Sequence, residues 1–209
     1  AYVISMDAQS RAKVEEQIAK GRPLICAVRL PRDLYLFNGV PVLAWDAIRG
    51  IRPVNAGGLE VGFLLIGSQP SADPDDERRM RQELTLQSQN PVEALQVAER
   101  LPAKSVLFVQ NANRVLEAAG ALPALQAVWN LRDAFKANKR TLVLLGPSLT
   151  LPPELSGDVI AYDEPLPDGE RLRAIVTDVY RSARLDPPAS DVEARAVDAL
   201  SGLSAFTAE

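Results

Sequence analysis

The sequence predicts an α/β fold, a parallel sheet sandwiched by helices, followed by a small all-helical subdomain. Three observations carry this. Short apolar runs bounded by polar residues, such as Val106 to Val109 and Leu142 to Leu145, read as strands buried on both faces of a parallel sheet. Between such runs lie segments with apolar residues at helical spacing, the alternation expected when helices cover both faces. After Leu166-Pro167 the strand-like runs stop and only helical periodicity continues.

The elements follow in order. Asp7 is placed to N-cap a helix over Ala8 to Lys20, with Val14 and Ile18 on one face and Gly21 as its stop. Pro23 to Val28 is the first strand. Pro41 to Trp45 is the second, reached through Phe37-Asn38-Gly39. Ile51 to Val54 and Leu59 to Ile66 flank Asn55-Ala56-Gly57-Gly58, which reads as a hairpin turn with two glycines free to take positive φ. Gln69 to Asp76 is a polar connection, and the charged stretch through Glu83 reads as a solvated helix.

Asn90-Pro91 is a strong helix start, because Asn caps and proline suits the first helical position. Val92, Leu95 and Glu99 keep helical spacing until Leu101-Pro102 ends the segment. The strand from Ser105 follows. Leu122, Leu125, Val128, Trp129 and Phe135 then put an apolar face on a helix of about four turns. Thr141 to Leu145 is the fourth strand and Asp158 to Tyr162 the fifth. Asp168 caps a helix carrying Leu172, Ile175, Val176 and Val179; Ser190 caps another carrying Val192, Ala196, Val197 and Leu200. Gly202-Leu203-Ser204 opens a third helix. A domain rarely stops one turn into a helix, and the chain begins on Ala1, so a fragment of a longer protein is expected.

Composition narrows the function. At 209 residues, 47% hydrophobic and 24% charged, the chain suits one main domain with a small satellite. Its apolar runs fall far short of the roughly 20 residues of a membrane helix. The first 20 residues are charged and amphipathic, unlike a signal peptide, and a cytoplasmic protein without membrane contact is expected. Cys26 is the one cysteine, which excludes a disulfide framework. Histidine is absent, which excludes a Ser-His-Asp or Cys-His machine and leaves no plausible zinc site. A net charge of −4 makes nucleic acid an unexpected partner.

The ordered motifs resemble the AAA+ ATPase superfamily. They are Asn90-Pro91-Val92-Glu93-Ala94-Leu95, then Val106 to Asn111, Leu131-Arg132-Asp133, and Lys139 to Leu145. Pro147 to Leu155, Pro165-Leu166-Pro167-Asp168 and Leu200-Ser201-Gly202-Leu203-Ser204 follow. The likeness is greatest to the N-terminal, degenerate half of tandem AAA+ proteins of the plastid, cyanobacterial and bacterial reading-frame type. It covers residues 90–209 well and residues 1–89 by pattern. It implies an AAA+-like core over residues 1–164 and a helical lid over residues 165–209, cut within its last helix.

Departures from the family pattern bear on function. In P-loop ATPases the strand equivalent to Val106–Val109 ends in Asp-Glu, for Mg²⁺ and the attacking water. Here Gln110 and Asn111 hold those degenerate Walker B positions, similar in shape and uncharged. A P-loop also needs Gly-x-x-x-x-Gly-Lys-Ser/Thr after the first strand, where this chain reads Arg29-Leu30-Pro31-Arg32-Asp33-Leu34. None of its lysines, Lys13, Lys20, Lys104, Lys136 and Lys139, follows a glycine. Gly146-Pro147-Ser148 lacks the asparagine that would help position a water.

The resemblance therefore implies no catalytic residue, bound cofactor or metal in this chain. ATP and magnesium are expected for an active module after residue 209. That module of the same chain, further copies in a homo-oligomer of the full-length protein, and an unidentified protein are the expected partners. Arg132 and Arg140 are interface candidates, as arginines reaching a neighbouring subunit's nucleotide; a solvated helix face and a strand entrance are the plainer reading. Arg29 and Arg32 have no amide nest to make a phosphate site. Asp33, Asp46 and Asp163-Glu164 leave an alternative, a nucleotide-binding or nuclease domain with a carboxylate site.

Overall fold

The computed structural model describes residues 24–28, 40–146, 150–163 and 166–203. The expected helix over 8–20, the loops at 29–34, 37–39 and 147–149, and the helix from Ser204 lie outside the described residues. The described residues fall into two compact units, one ending at Asp163 and one beginning at Leu166.

The first unit is built on a six-stranded sheet. Its strands are β1 (Leu24–Val28), β2 (Val42–Asp46), β3 (Gly50–Pro53), β4 (Val106–Val109), β5 (Thr141–Gly146) and β6 (Ile160–Asp163), in the order β3-β2-β4-β5-β1-β6. All neighbours are parallel except β2 and β3. Leu107 sits opposite Leu43 on one side and Leu142 on the other, and all three are fully buried. Burial on both faces is why β4 and β5 read as continuous apolar runs. Truncating such a leucine to alanine costs about 2–5 kcal/mol.

The hairpin expected at Asn55–Gly58 is instead a helix start, α1 (Ala56–Leu65). The Asn55 side-chain oxygen accepts from Gly58 N at 2.8 Å and Val42 N at 3.1 Å, while its amide donates to Val40 O at 2.8 Å. The glycines serve close approach here rather than positive φ. A Cβ on Gly58 would lie 2.1 Å from Val42 O, and one on Gly62 2.8 Å from Met80 Sδ. The true hairpin joins β2 to β3. There Asp46 accepts from Ile48 N at 3.1 Å and Arg49 N at 2.9 Å, and Gly50 takes φ +60°.

Helix α2 (Pro74–Ser88) is capped by Asp73, and α3 (Pro91–Ala98) by Asn90, whose side chain accepts from Val92 N and Glu93 N. Ser88 at the end of α2 is fully buried and fully used: its hydroxyl accepts from Ile51 N at 2.7 Å and its carbonyl accepts from Trp45 Nε1 at 2.6 Å. A five-residue helix, α4 (Ala112–Leu116), follows β4 and is absent from the sequence reading. In α5 (Leu122–Ala137) the buried face is Ala124, Val128, Leu131 and Phe135. Leu122, expected on that face, is 71% exposed. Strand β6 begins at Ile160, so Asp158 precedes the strand it was expected to open.

The second unit is a helical pair, α6 (Gly169–Ser182) and α7 (Ser190–Leu200). Asp168 caps α6 by accepting from Arg171 N at 2.9 Å. Leu172, Ile175 and Val197 form its core, while Val179 and Val192, both expected to be apolar-face residues, are 41% exposed. Ser190 is the first helical residue of α7 rather than its cap; Ala189 holds the cap position without a side-chain bond. Among the described residues no helix is long and apolar enough to cross a membrane.

Candidate functional site

Five parallel strands end along one edge of the sheet, and ligands of open α/β sheets bind beyond such carboxyl ends. Across that edge the described strand ends are, in spatial order, Asp46 of β2, Gln110 after β4, Gly146 of β5, Val28 of β1 and Asp163 of β6. Gln110 and Asn111 thus occupy a central address, with β2 on one side and β5 on the other.

The local chemistry there is that of a tight turn. Gln110 N donates to Trp45 O at 3.0 Å, which extends the β2–β4 ladder by one bond. Asn111 is left-handed (φ 53°, ψ 41°), exposed, and makes no side-chain capping bond to α4. Its carbonyl accepts from Arg114 N at 2.9 Å, so the residue reverses the chain from strand to helix. Asparagine tolerates this conformation far better than most residues. The backbone therefore gives Asn111 a reason to be asparagine that the sequence does not display.

Behind the turn lies an apolar cavity of about 10 Å³, walled by Trp45, Leu95, Leu107, Val109, Leu116 and Val128. That is the lower limit for one water, and the walls offer no polar partners, so the cavity is a packing defect rather than a ligand site.

The sequence-selected carboxylates do not converge. Asp46 and Asp163 end strands four spacings apart, roughly 19 Å at about 4.8 Å per strand. Asp46 is also committed to the hairpin: besides the Ile48 and Arg49 amides it holds Arg49 Nε at 2.9 Å and faces Arg52 Nε at 3.6 Å. Burial alone would raise its carboxyl, but the two amides and the Arg49 guanidinium outweigh this and hold Asp46 below the usual carboxylate range. Asp33 and Glu164 lie outside the described residues. No group of three or more His, Cys, Asp or Glu able to hold a metal occurs among the described residues.

Both candidate arginines are engaged within the chain, at the opposite, amino-terminal end of the strands. Arg132 stacks on Trp129 at 4.5 Å and bonds Asp158 at 3.0 Å and Asp133 at 3.1 Å. Hydrogen bonds to Asp133 and then Asp158 raise its guanidinium further above its ordinary value. Arg140 precedes β5, donates from Nη1 to Glu99 O at 2.9 Å and lies 5.8 Å over Phe135. Burial lowers its guanidinium from the ordinary value, and its Nε is buried without a partner. Nothing in the sequence pairs Arg132 with Asp158; that contact arises from the placement of α5 beside the start of β6.

Comparison with known proteins follows the same outline. A family profile described as SpoVK-like AAA ATPase, N-terminal domain, matches residues 25–163. A search of curated protein sequences finds no match. Among solved structures, a DNA replication initiation factor resembles the chain with a TM-score of 0.53 at 11% identity. The likeness covers 94% of this chain and 56% of that one, and at such identity it speaks for the fold alone. The fold and the profile agree, and the chain belongs to the SpoVK-like AAA ATPase N-terminal domain family, within the AAA+ superfamily.

Proposed function

We propose that this chain is a catalytically silent AAA+-like domain that assembles with, regulates or recruits partners for an active ATPase module of the same polypeptide. The observation that carries the reading is the end of β4. Where hydrolysis would need a carboxylate pair for Mg²⁺ and water, the chain has neutral Gln110 and a left-handed Asn111 built into a turn. The loop read from sequence after β1 adds to this, because Arg29 to Leu34 has neither the glycines nor the lysine of a phosphate cradle. The family's description as an N-terminal domain supports a further module downstream, and with it ATP, magnesium and a homo-oligomer of the whole protein. The tandem arrangement, the cytoplasmic location and the roles of Arg132 and Arg140 at a subunit interface belong to this same proposal. The nuclease or nucleotide-site alternative is weakened by the distance between Asp46 and Asp163.

Isothermal titration of ATP with Mg²⁺ into the chain tests the reading. No saturable heat is expected, and micromolar binding would sink it. Reading the gene past Glu209 tests the tandem arrangement separately, since a Gly-Lys-Ser/Thr loop is expected there.

A further inference from the structure

The amino-terminal edge of the sheet, opposite the strand ends just described, gathers positive charge. All the described lysines lie there. Lys104 precedes β4; Lys136 is in the last turn of α5; Lys139 and Arg140 precede β5; Arg100 follows α3. Backbone contacts hold these segments side by side. Lys104 N donates to Asn138 O at 3.1 Å, Thr141 N to Ser105 O at 3.0 Å, and Arg140 N to Phe135 O at 2.9 Å. Arg140 Nη1 reaches Glu99 O at 2.9 Å, which brings Arg100 to the same edge. Across 99–104 and 136–140, Glu99 is the sole carboxylate. None of the five cations forms an ion pair among the described residues.

Part of this charge has a local cause. Lys136 complements the carbonyl end of α5, as helix dipoles favour. Lys139, the residue after the Asn138 cap, shares that cause, whereas Lys104 does not. Lys104 and Lys139 both sit at positive φ, 65° and 53°, where glycine or asparagine is cheaper. Two neighbouring turns thus accept backbone strain and still carry exposed ammonium groups.

We propose that this edge docks a short acidic peptide segment of a partner protein. The charge is complementary, and the basic patch centres on the starts of two adjacent strands, about 5 Å apart, so a few extended residues suffice to cross it. Nucleic acid fits less well. The segments 99–104 and 136–140 contain no aromatic residue on which a base could stack. This inference goes beyond the silent-domain reading and does not depend on it, since a nucleotide-binding chain would keep the same edge.

Fluorescence anisotropy with a labelled oligoglutamate peptide at low ionic strength tests it on the whole chain. Binding that weakens with salt is expected. Lys104→Glu with Lys139→Glu should weaken it by about two- to thirtyfold, as loss of two exposed charge pairs predicts. Lys104→Asn with Lys139→Asn should also weaken binding while leaving the thermal midpoint unchanged or raised, which separates lost charge from lost folding. Absence of peptide binding, or binding indifferent to both pairs of substitutions, would overturn the proposal. So would tighter binding of a labelled DNA duplex through the same lysines, which would reassign the edge to nucleic acid.

Discussion

Substitution of Asn111 offers a test of why the turn that follows β4 carries an asparagine. Its backbone sits at φ 53°, ψ 41°, and its side chain makes no capping bond, so a replacement changes the conformational cost and little else. A left-handed conformation costs an ordinary side chain about 1–2 kcal/mol, and costs glycine almost nothing. Asn111→Ala and Asn111→Glu should therefore each destabilise the chain by about 1 kcal/mol, with Asn111→Gly within about 0.5 kcal/mol of the wild type. With a urea m-value of about 2 kcal/mol/M, the first two should lower the unfolding midpoint by roughly 0.5 M. Trp45 is a suitable fluorescence reporter, because its carbonyl accepts from Gln110 N next door. The reasoning fails if alanine is as stable as glycine. Gln110→Asp with Asn111→Glu then joins stability to function: an acidic pair is introduced, the strain is added, and no ATP hydrolysis should appear.

Other outcomes follow from the same structure. Gly58→Ala puts a Cβ against Val42 O and breaks the three-way hydrogen bonding of Asn55, so it should cost about 3 kcal/mol by urea unfolding despite alanine's helix propensity; a neutral effect would refute the helix-cap account. A double-mutant cycle on Arg132→Ala and Asp158→Ala should give a coupling of about 0.5–1 kcal/mol, since both side chains are about one-third exposed. A coupling near zero would free Arg132 for a role outside its own chain. For pH, Asp46 is held below its ordinary 3.8 when folded, so its contribution is complete above that value and fades as pH falls through the folded value. Asp46→Asn should therefore narrow the stability gap to the wild type as pH drops from about 4 to 2, followed by circular dichroism; a gap that widens would contradict the sign.

The strands that were legible are those whose pattern has one physical cause. Burial on both faces forces apolar runs, so β2, β4 and β5 could be placed, and so could the Gln110 address where the β4 run stops. Asn90-Pro91 likewise has one reading. Asn55-Ala56-Gly57-Gly58 has two, because asparagine caps helices and also turns hairpins, and glycines permit either positive φ or close approach. Only Val42 O beside Gly58 decides between them. Helix α4 is too short for periodicity to register. Leu122 was misplaced because α5 buries Ala124 instead, and small residues carry little weight in an apolar pattern. At the site, residue types were readable but conformations were not. The left-handed turn at Asn111, the Arg132–Asp158 pair 26 positions apart and the commitment of Asp46 to its hairpin all depend on tertiary placement.

The position of β1 has a consequence for synthesis. It lies between β5 and β6, and Leu24 pairs with Leu142. Roughly 120 residues separate them, which at about 5–20 residues per second is on the order of 6–24 s of translation. During that interval the apolar segment Leu24-Ile25-Cys26-Ala27-Val28 has emerged without either of its neighbours. The sheet can be completed around β1 only late, so the nascent chain carries an unpaired, aggregation-prone strand that a ribosome-bound chaperone would have reason to shield.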